Sequence, residues 1–293
     1  MENDTQKIIL PCIGCSGNEH LFFTEKKGYQ IYRCKKCNLL FLYPQKNNPI
    51  EVYGADYFAG AKEGFGYVDY DRDKEPMRKT FEKYLSQIER LLSKKGKLLD
   101  VGAATGFFID MAKSRGWEVS GVEVSEYAAA EARKKELNVE TGTLSAYSAP
   151  EGSFDVITLL DVVEHFSDPI EEMKKAYKLL RQGGVLFVNT PDAGSLYAKV
   201  LGSKWHLIVP PEHIFLFSTK ALVYFLERQG FEVVIVKKIG KRFTLQYILQ
   251  TLARWQDKKA FRILATKIQK TGLGKISLPL NFRDNVCVIA RKV

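Results

Sequence analysis

Hydrophobic and polar positions along this chain follow two periods. Apolar runs at 117–124, 153–160 and 185–189 read as buried strands, and stretches of helical spacing separate them. The first such stretch, 76–94, sets Phe81, Tyr84, Leu85, Ile88, Leu91 and Leu92 on one face, which predicts an amphipathic helix leading into a strand at 98–100. A helix starts at Ser125, with Glu126 in its first turn, and runs through an alanine-rich stretch to Glu136; a short strand at 139–141 follows. Asp168, Pro169 and Glu171 open another helix, ended by Gly183 and Gly184, and Ser218 caps a third that Gly230 stops. Strands at 231–236 and 285–290 complete the pattern. Strand and helix alternating in this way imply an α/β fold built on a mostly parallel sheet.

The run LLDVGAATGFF at 98–108 joins a strand ending in Asp100 to a glycine-bearing turn that opens a helix. Gly102 and Gly106 let the turn bend sharply and let the backbone pass close to a ligand. Ala104 stands between them, and its methyl group calls for a negative φ. Glu123 ends the next apolar run, at the point where acids typically bind ribose hydroxyls. A nicotinamide dinucleotide is disfavoured, because a G-x-G-x-x-G count from Gly102 puts Ala104 and Phe107 at the second and third glycine positions.

These residues resemble the class I methyltransferases that use S-adenosylmethionine, with Ala104 in place of the middle glycine; the run 153–169 resembles the fourth motif of that family. The resemblance implies a Rossmann-like seven-stranded sheet whose final strand enters antiparallel between the fifth and sixth. It also implies a cofactor site. Asp100, Gly102, Ala103 and Gly106 would surround the amino-acid portion and Glu123 the ribose, with Val124 and Leu144 near adenine and Leu160 in backbone contact. The usual acid of the adenine loop is replaced around Thr143.

Two cysteine pairs precede this core. Cys12-x-x-Cys15 and Cys34-x-x-Cys37 lie 18 residues apart, a spacing at which two tight turns present four thiolates to one zinc ion. Short strands at 21–23, 29–32 and 39–43 complete a zinc-ribbon pattern. Four thiolates close the coordination shell, so the zinc is expected to be structural. Disulfides do not suit a reducing compartment, and a redox pair needs one motif rather than two. The expected organisation is a zinc-ribbon domain at 1–48, a linker and leading helix at 49–95, and a methyltransferase domain at 96–293. Asn47, Asn48 and Pro49 mark the linker, and the aromatic stretch 53–58 is expected to pack on the main domain.

Composition narrows the classes. No apolar run approaches the roughly 18 residues of a membrane span, and the first residues lack an export signal, which places the expected site of action in the cytoplasm. The net charge of +10 is concentrated at 241–271, where eight basic residues face Asp257 alone. Leu245, Ile248, Leu249, Leu252 and Trp255 form a stripe beneath that charge, so 241–272 reads as a basic helical insertion: a packing helix or lid, a membrane-surface helix for anionic lipid, or a nucleic-acid face.

A hydroxyl acceptor needs a base. His213 is the first candidate, since it follows an inserted segment at 191–211 that carries Trp205, His206 and a Pro-Pro pair; His165 is the second and His206 the third, while His20 belongs to the ribbon. Asp161, Glu164 and His165 match no familiar metal spacing. The whole resembles a quinone-biosynthesis-type core behind the ribbon of sugar-modifying enzymes. That implies a small-molecule acceptor, a hydroxyl on a nucleotide- or lipid-linked sugar. A ribosomal RNA guanine methyltransferase is the alternative, although its second metal pair ends in histidine. A non-catalytic S-adenosylmethionine-binding module is the third.

Overall fold

A computed structural model describes residues 10–44, 71, 74–239, 241–245, 248–249, 263–264, 267–268, 272–280 and 282–293. The linker residues Asn47, Asn48 and Pro49, the stretch 53–58, and Leu252 and Trp255 of the basic stripe lie outside them.

Strands β1 (His20–Lys26), β2 (Tyr29–Cys34) and β3 (Leu40–Leu42) form the ribbon, in antiparallel order. Helix α1 (Arg78–Glu89) follows, burying Phe81, Tyr84, Leu85 and Ile88 on the face that the apolar spacing marked. The main body then runs β4 (Lys97–Val101), α2 (Phe107–Ser114), β5 (Glu118–Glu123), α3 (Glu126–Lys134), β6 (Val139–Thr141), β7 (Phe154–Leu160), α4 (Pro169–Leu179) and β8 (Leu180–Pro191). A short helix α5 (Leu196–Leu201), strand β9 (Phe215–Leu216), helix α6 (Thr219–Arg228) and strands β10 (Phe231–Lys238), β11 (Lys241–Thr244), β12 (Ser277–Leu280) and β13 (Asn285–Lys292) complete the described elements.

Capping side chains set the helix starts. Ser125 Oγ accepts the Ala128 N–H at 3.4 Å and Asp168 accepts those of Ile170 and Glu171 at 3.1 Å, so each satisfies a donor that the first helical turn leaves orphaned. Pro169, with no N–H to lose, occupies the first turn of α4.

The seven-stranded sheet has the order β10-β13-β8-β7-β4-β5-β6, and β13 is antiparallel between β8 and β10, as the resemblance implied. Strand order reverses at β4, which has β5 on one side and β7 on the other; ligands bind beyond the carboxyl ends of strands at such a point. Apolar side chains cover both sheet faces: Leu98, Val156 and Phe187 pack under α1, α2 and α3, and Leu99, Ile157 and Leu186 pack under α4 and α6.

Three expectations are corrected. Ala104 adopts φ +49°, not a negative value, because its N–H is drawn onto the Glu123 carboxylate at 2.9 Å. Helix α4 ends at Leu179, and Gly183 and Gly184 lie inside β8, where the pairing with β7 slips register between Phe154 and Val156. The basic segment does not begin as a helix: Lys241–Thr244 is a strand paired antiparallel with β12. Leu245, Ile248 and Leu249 are helical, with Leu249 buried.

Among the described residues, no helix is long and apolar enough to cross a membrane.

Candidate active site

Strand β4 carries Asp100 to the carboxyl edge of the sheet, where the chain turns through Gly102 at φ +72° and Gly106 at φ +84°. Side chains are excluded here by space as well as by conformation: a Cβ at Gly102 would lie 2.5 Å from Val162 Cγ2, and one at Gly106 would lie 2.4 Å from Leu137 Cδ1. Ala104 sits between them in the left-handed region, a conformation that costs a non-glycine residue about 1–3 kcal/mol. Glu123 holds it there. One carboxylate oxygen accepts the Ala104 N–H and the other accepts the Ser125 N–H, each at 2.9 Å, so a single buried acid ties the turn after β4 to the start of α3.

A cavity opens at this turn. Asp100, Gly102, Ala103 and Leu160, all expected cofactor residues, line it. Gly106, Glu123, Val124 and Leu144 do not line it: Gly106 caps α2, Glu123 lies behind the turn, and buried Leu144 follows the loop whose Gly142 N–H bonds Glu123 O at 2.8 Å.

Sequence reasoning named no other wall residue as a cofactor contact, and Phe107 and Phe108 of α2 are among those it left out. Lys74, Met77, Phe81 and Tyr84 come from the leading helix and the turn before it, and Asp161 and Asn189 come from the ends of β7 and β8. The Tyr84 hydroxyl donates to Asn189 Oδ1 at 3.2 Å, and Asn189 Nδ2 donates to Asp161 Oδ1 at 2.7 Å, which aims the Asp161 carboxylate. Asp161 also has a left-handed backbone, φ +59°, at the strand end. A polar Asn189 inside an apolar run was the one available signal for this chain of contacts.

Burial pushes the Asp100 carboxyl up to about 7, with Glu123 adding repulsion and a 2.5 Å hydrogen bond from Thr158 opposing it. The folded chain therefore keeps this proton up to about pH 7 while the unfolded chain releases it near the ordinary aspartate value of 3.8. Stability from protonated Asp100 is full below the unfolded value and is lost as pH rises through about 7, by on the order of 4 kcal/mol at most. An Asp100→Asn variant should gain in melting temperature on the wild type between pH 5 and pH 8; a gap independent of pH would show that Asp100 is ionised throughout.

Glu172 on α4 reaches across to the loop after β6, where its two oxygens accept the Ser145 N–H and hydroxyl, both at 2.9 Å. It thereby fixes the segment that follows Leu144. Glu172→Ala leaves a Ser145 donor without its acceptor, at a cost of ~1–3 kcal/mol, and is expected to weaken binding of S-adenosylhomocysteine about threefold to tenfold in calorimetry. Unchanged affinity would separate this loop from the cofactor.

The histidines lie beyond the end of β7. His165 Nδ1–H donates to Glu212 O at 2.8 Å and His213 Nδ1–H donates to Leu207 O at 2.6 Å, and their rings meet edge to face with centroids 4.8 Å apart. A carbonyl only accepts, so each Nδ1 carries a proton and Nε2 is the ring atom left to act as a base. Desolvation holds His165 below the usual histidine range. Buried Glu164 accepts from Thr190 Oγ1 at 2.7 Å, and its carboxylate lies within 4.8 Å of ligand atoms of His165 and His213, a donor set that could hold a metal ion; Asp161 does not belong to that group. His206 packs against Tyr197 instead, and His20 Nε2 pairs with Leu10 O in the ribbon.

The four ribbon cysteines also converge. Cys12 Sγ and Cys37 Sγ are 3.5 Å apart, as are those of Cys15 and Cys34, and all four atoms lie within 4.8 Å of one another. Disulfide sulfurs sit about 2.05 Å apart. Sulfurs on a zinc ion at about 2.3 Å sit about 3.8 Å apart, so the arrangement suits four thiolates on one metal.

A sheet reversing at β4, a glycine turn over a buried acid, and a second acid behind the turn define the class I S-adenosylmethionine-dependent methyltransferase fold. A family model described as a methyltransferase domain matches residues 75–236, more than half of the chain, and the chain belongs to that family. Ubiquinone biosynthesis O-methyltransferases of Pseudomonas aeruginosa and Thiobacillus denitrificans are 30% and 32% identical to it over 125 and 124 residues, 39% of this chain and 53% of each of theirs. The chain thus spans about half the length of the curated relatives it matches. Among solved structures, the YcgJ protein of Bacillus subtilis superposes with a TM-score of 0.54 at 16% identity, over 73% of this chain and 98% of that one. A protein of Bacillus halodurans assigned as a methyltransferase gives 0.51 at 17%, over 72% and 99%. These two likenesses show the shared fold.

Proposed function

We propose that this chain transfers a methyl group from S-adenosylmethionine to a hydroxyl of a small molecule. The cavity at the β4 turn carries the reading, because it joins a buried acid, a close-approach backbone and an oriented carboxylate at the point where the sheet order reverses. When bound, the cofactor supplies an electrophilic methyl on a sulfonium.

The chain's own residues supply the rest. Asp100 and Asp161 present carboxylates to the amino-acid end, and Glu123 holds from behind the turn on which the ribose would lie. Tyr84, Phe81 and Met77 close the cavity from α1 and the turn before it, and so keep water from the reacting atoms. His213, with His165 against it, takes the hydroxyl proton on Nε2. The names of the matching relatives support oxygen as the methylated atom. For the acceptor we favour a hydroxyl on a nucleotide- or lipid-linked sugar, the class that the ribbon in front of this core suggested. The four cysteines would hold zinc, which supplies structure and no chemistry.

Among the described residues the ribbon's inner face does not favour the RNA reading, since Ile31, Leu40 and Leu42 are buried against Trp205 and Ile208.

The test is calorimetry with S-adenosylhomocysteine, followed by labelled cofactor and a cell extract fractionated into RNA, lipid and small polar pools. Binding and label in a small-molecule pool are expected, and no uptake of cofactor would end the proposal. His213→Ala should bind as tightly as wild type yet lose about 10²–10⁴ in turnover. A variant with normal turnover would remove His213 as the base.

A further inference from the structure

The ribbon does not stand apart from the catalytic body. Its sheet has four strands, and the fourth, β9, comes from the segment just after His213. Phe41 pairs with Phe215 and Leu40 with Leu216, and the Leu42 N–H donates to Ile214 O at 3.0 Å. Ser218, which caps α6, donates its hydroxyl to the carbonyl of Cys37 at 2.5 Å. From the ribbon's first hairpin, Lys26 Nζ reaches Ile208 O at 2.8 Å.

The other edge of the same segment grips the histidines. The Ile214 N–H donates to Glu164 O at 2.8 Å, and Glu212 O receives His165 Nδ1–H. His213 itself is held by Leu207 O and, through its N–H, by Val209 O at 3.2 Å. Packing tells the same story: the four cysteines share one apolar cluster with Val163, Ile214, Phe215 and Phe217.

We propose that the four-cysteine ribbon is a positioning device for the acceptor side of the site, its metal-closed knuckles holding the strap 212–218 and through it His165 and His213. The name acceptor site rests on the function proposed above; the mechanical coupling does not. Each link is direct. Cys37 fixes Ser218, the strand that follows Cys37 pairs with the strap, and the strap's opposite edge is bonded to the turn that carries Glu164 and His165. Opening the knuckles removes the strap's partner on one side and leaves the cofactor turn, on the far side of β7, with all its own contacts.

Amide hydrogen exchange of the full chain, with zinc quantified by elemental analysis before and after chelation, tests this. On zinc removal the peptides covering 205–218 should exchange at least ~10-fold faster, while those covering 98–108 stay unchanged. The ring-proton resonances of His165 and His213, assigned with His165→Gln and His213→Gln, should move in the same step. Affinity for S-adenosylhomocysteine should stay within about twofold.

Unchanged exchange at 212–218 after zinc loss would overturn the proposal. So would equal loss of protection across the whole chain, or a chain purified without metal whose strap is already protected. If the chelated protein precipitates, Lys26→Met answers in its place: faster exchange confined to 205–211 is expected, and no change there overturns the coupling. Absence of S-adenosylhomocysteine binding both before and after chelation would sink the proposed function and leave the exchange result to be judged by itself.

Discussion

Cys37→Ser is expected to take bound zinc from about one ion per chain to none and to unfold the ribbon at temperatures where the wild type is intact. Cys37 is fully buried, lies 3.5 Å from Cys12 through its sulfur, and accepts Ser218 through its carbonyl. A serine hydroxyl does not ionise near neutral pH, so one of four anionic ligands is lost. The ribbon's own apolar core is small: Ile31, Leu40 and Leu42 are buried in one cluster with Ala198, Trp205, Ile208 and Leu216 of the main body. Zinc held by the four cysteines, worth about 10–16 kcal/mol in comparable small sites, would then dominate its folding. Elemental analysis and a thermal melt check both halves of the statement, and a variant that kept its ion and melted with the wild type would remove the zinc assignment.

Glu123→Gln is expected to weaken S-adenosylhomocysteine binding at least ~100-fold, about 2.7 kcal/mol. Two backbone donors point at this carboxylate, from Ala104 and Ser125. A glutamine offers one oxygen and turns an NH₂ group toward the other donor, leaving a buried N–H unpaired at a cost of ~1–3 kcal/mol. Ala104 then loses the contact that holds it at φ +49°, and the turn relaxes away from the geometry the cofactor needs. Calorimetry reads the outcome directly, and wild-type affinity would show that Glu123 has no part in the cofactor site.

These two residues were legible for different reasons. The cysteine pairs announced themselves by spacing, since metal geometry constrains local turns and leaves a mark in sequence. Glu123 was placed by its position at a strand end, yet its visible work in the fold, pinning Ala104, was not foreseen. The φ of Ala104 follows from a hydrogen bond that spans 19 residues, and a local steric rule for alanine pointed the other way. The same distinction applies to Gly183 and Gly184: as a local signal they end a helix, but pairing with β7 draws them into β8.

The sequence by itself determined the α/β order, the caps at Ser125, Asp168 and Ser218, the glycine turn after Asp100 and the four-cysteine group. Each depends on contacts within a few residues or on the period of buried positions. Only the tertiary structure brought Tyr84, Asp161 and Asn189 to one cavity, set His165 against His213, and gave the ribbon its fourth strand. Those pairings join residues 28 to more than 100 positions apart, and no local propensity encodes which distant strand end or helix face arrives there. That choice belongs to the packing of whole elements against both sides of the sheet.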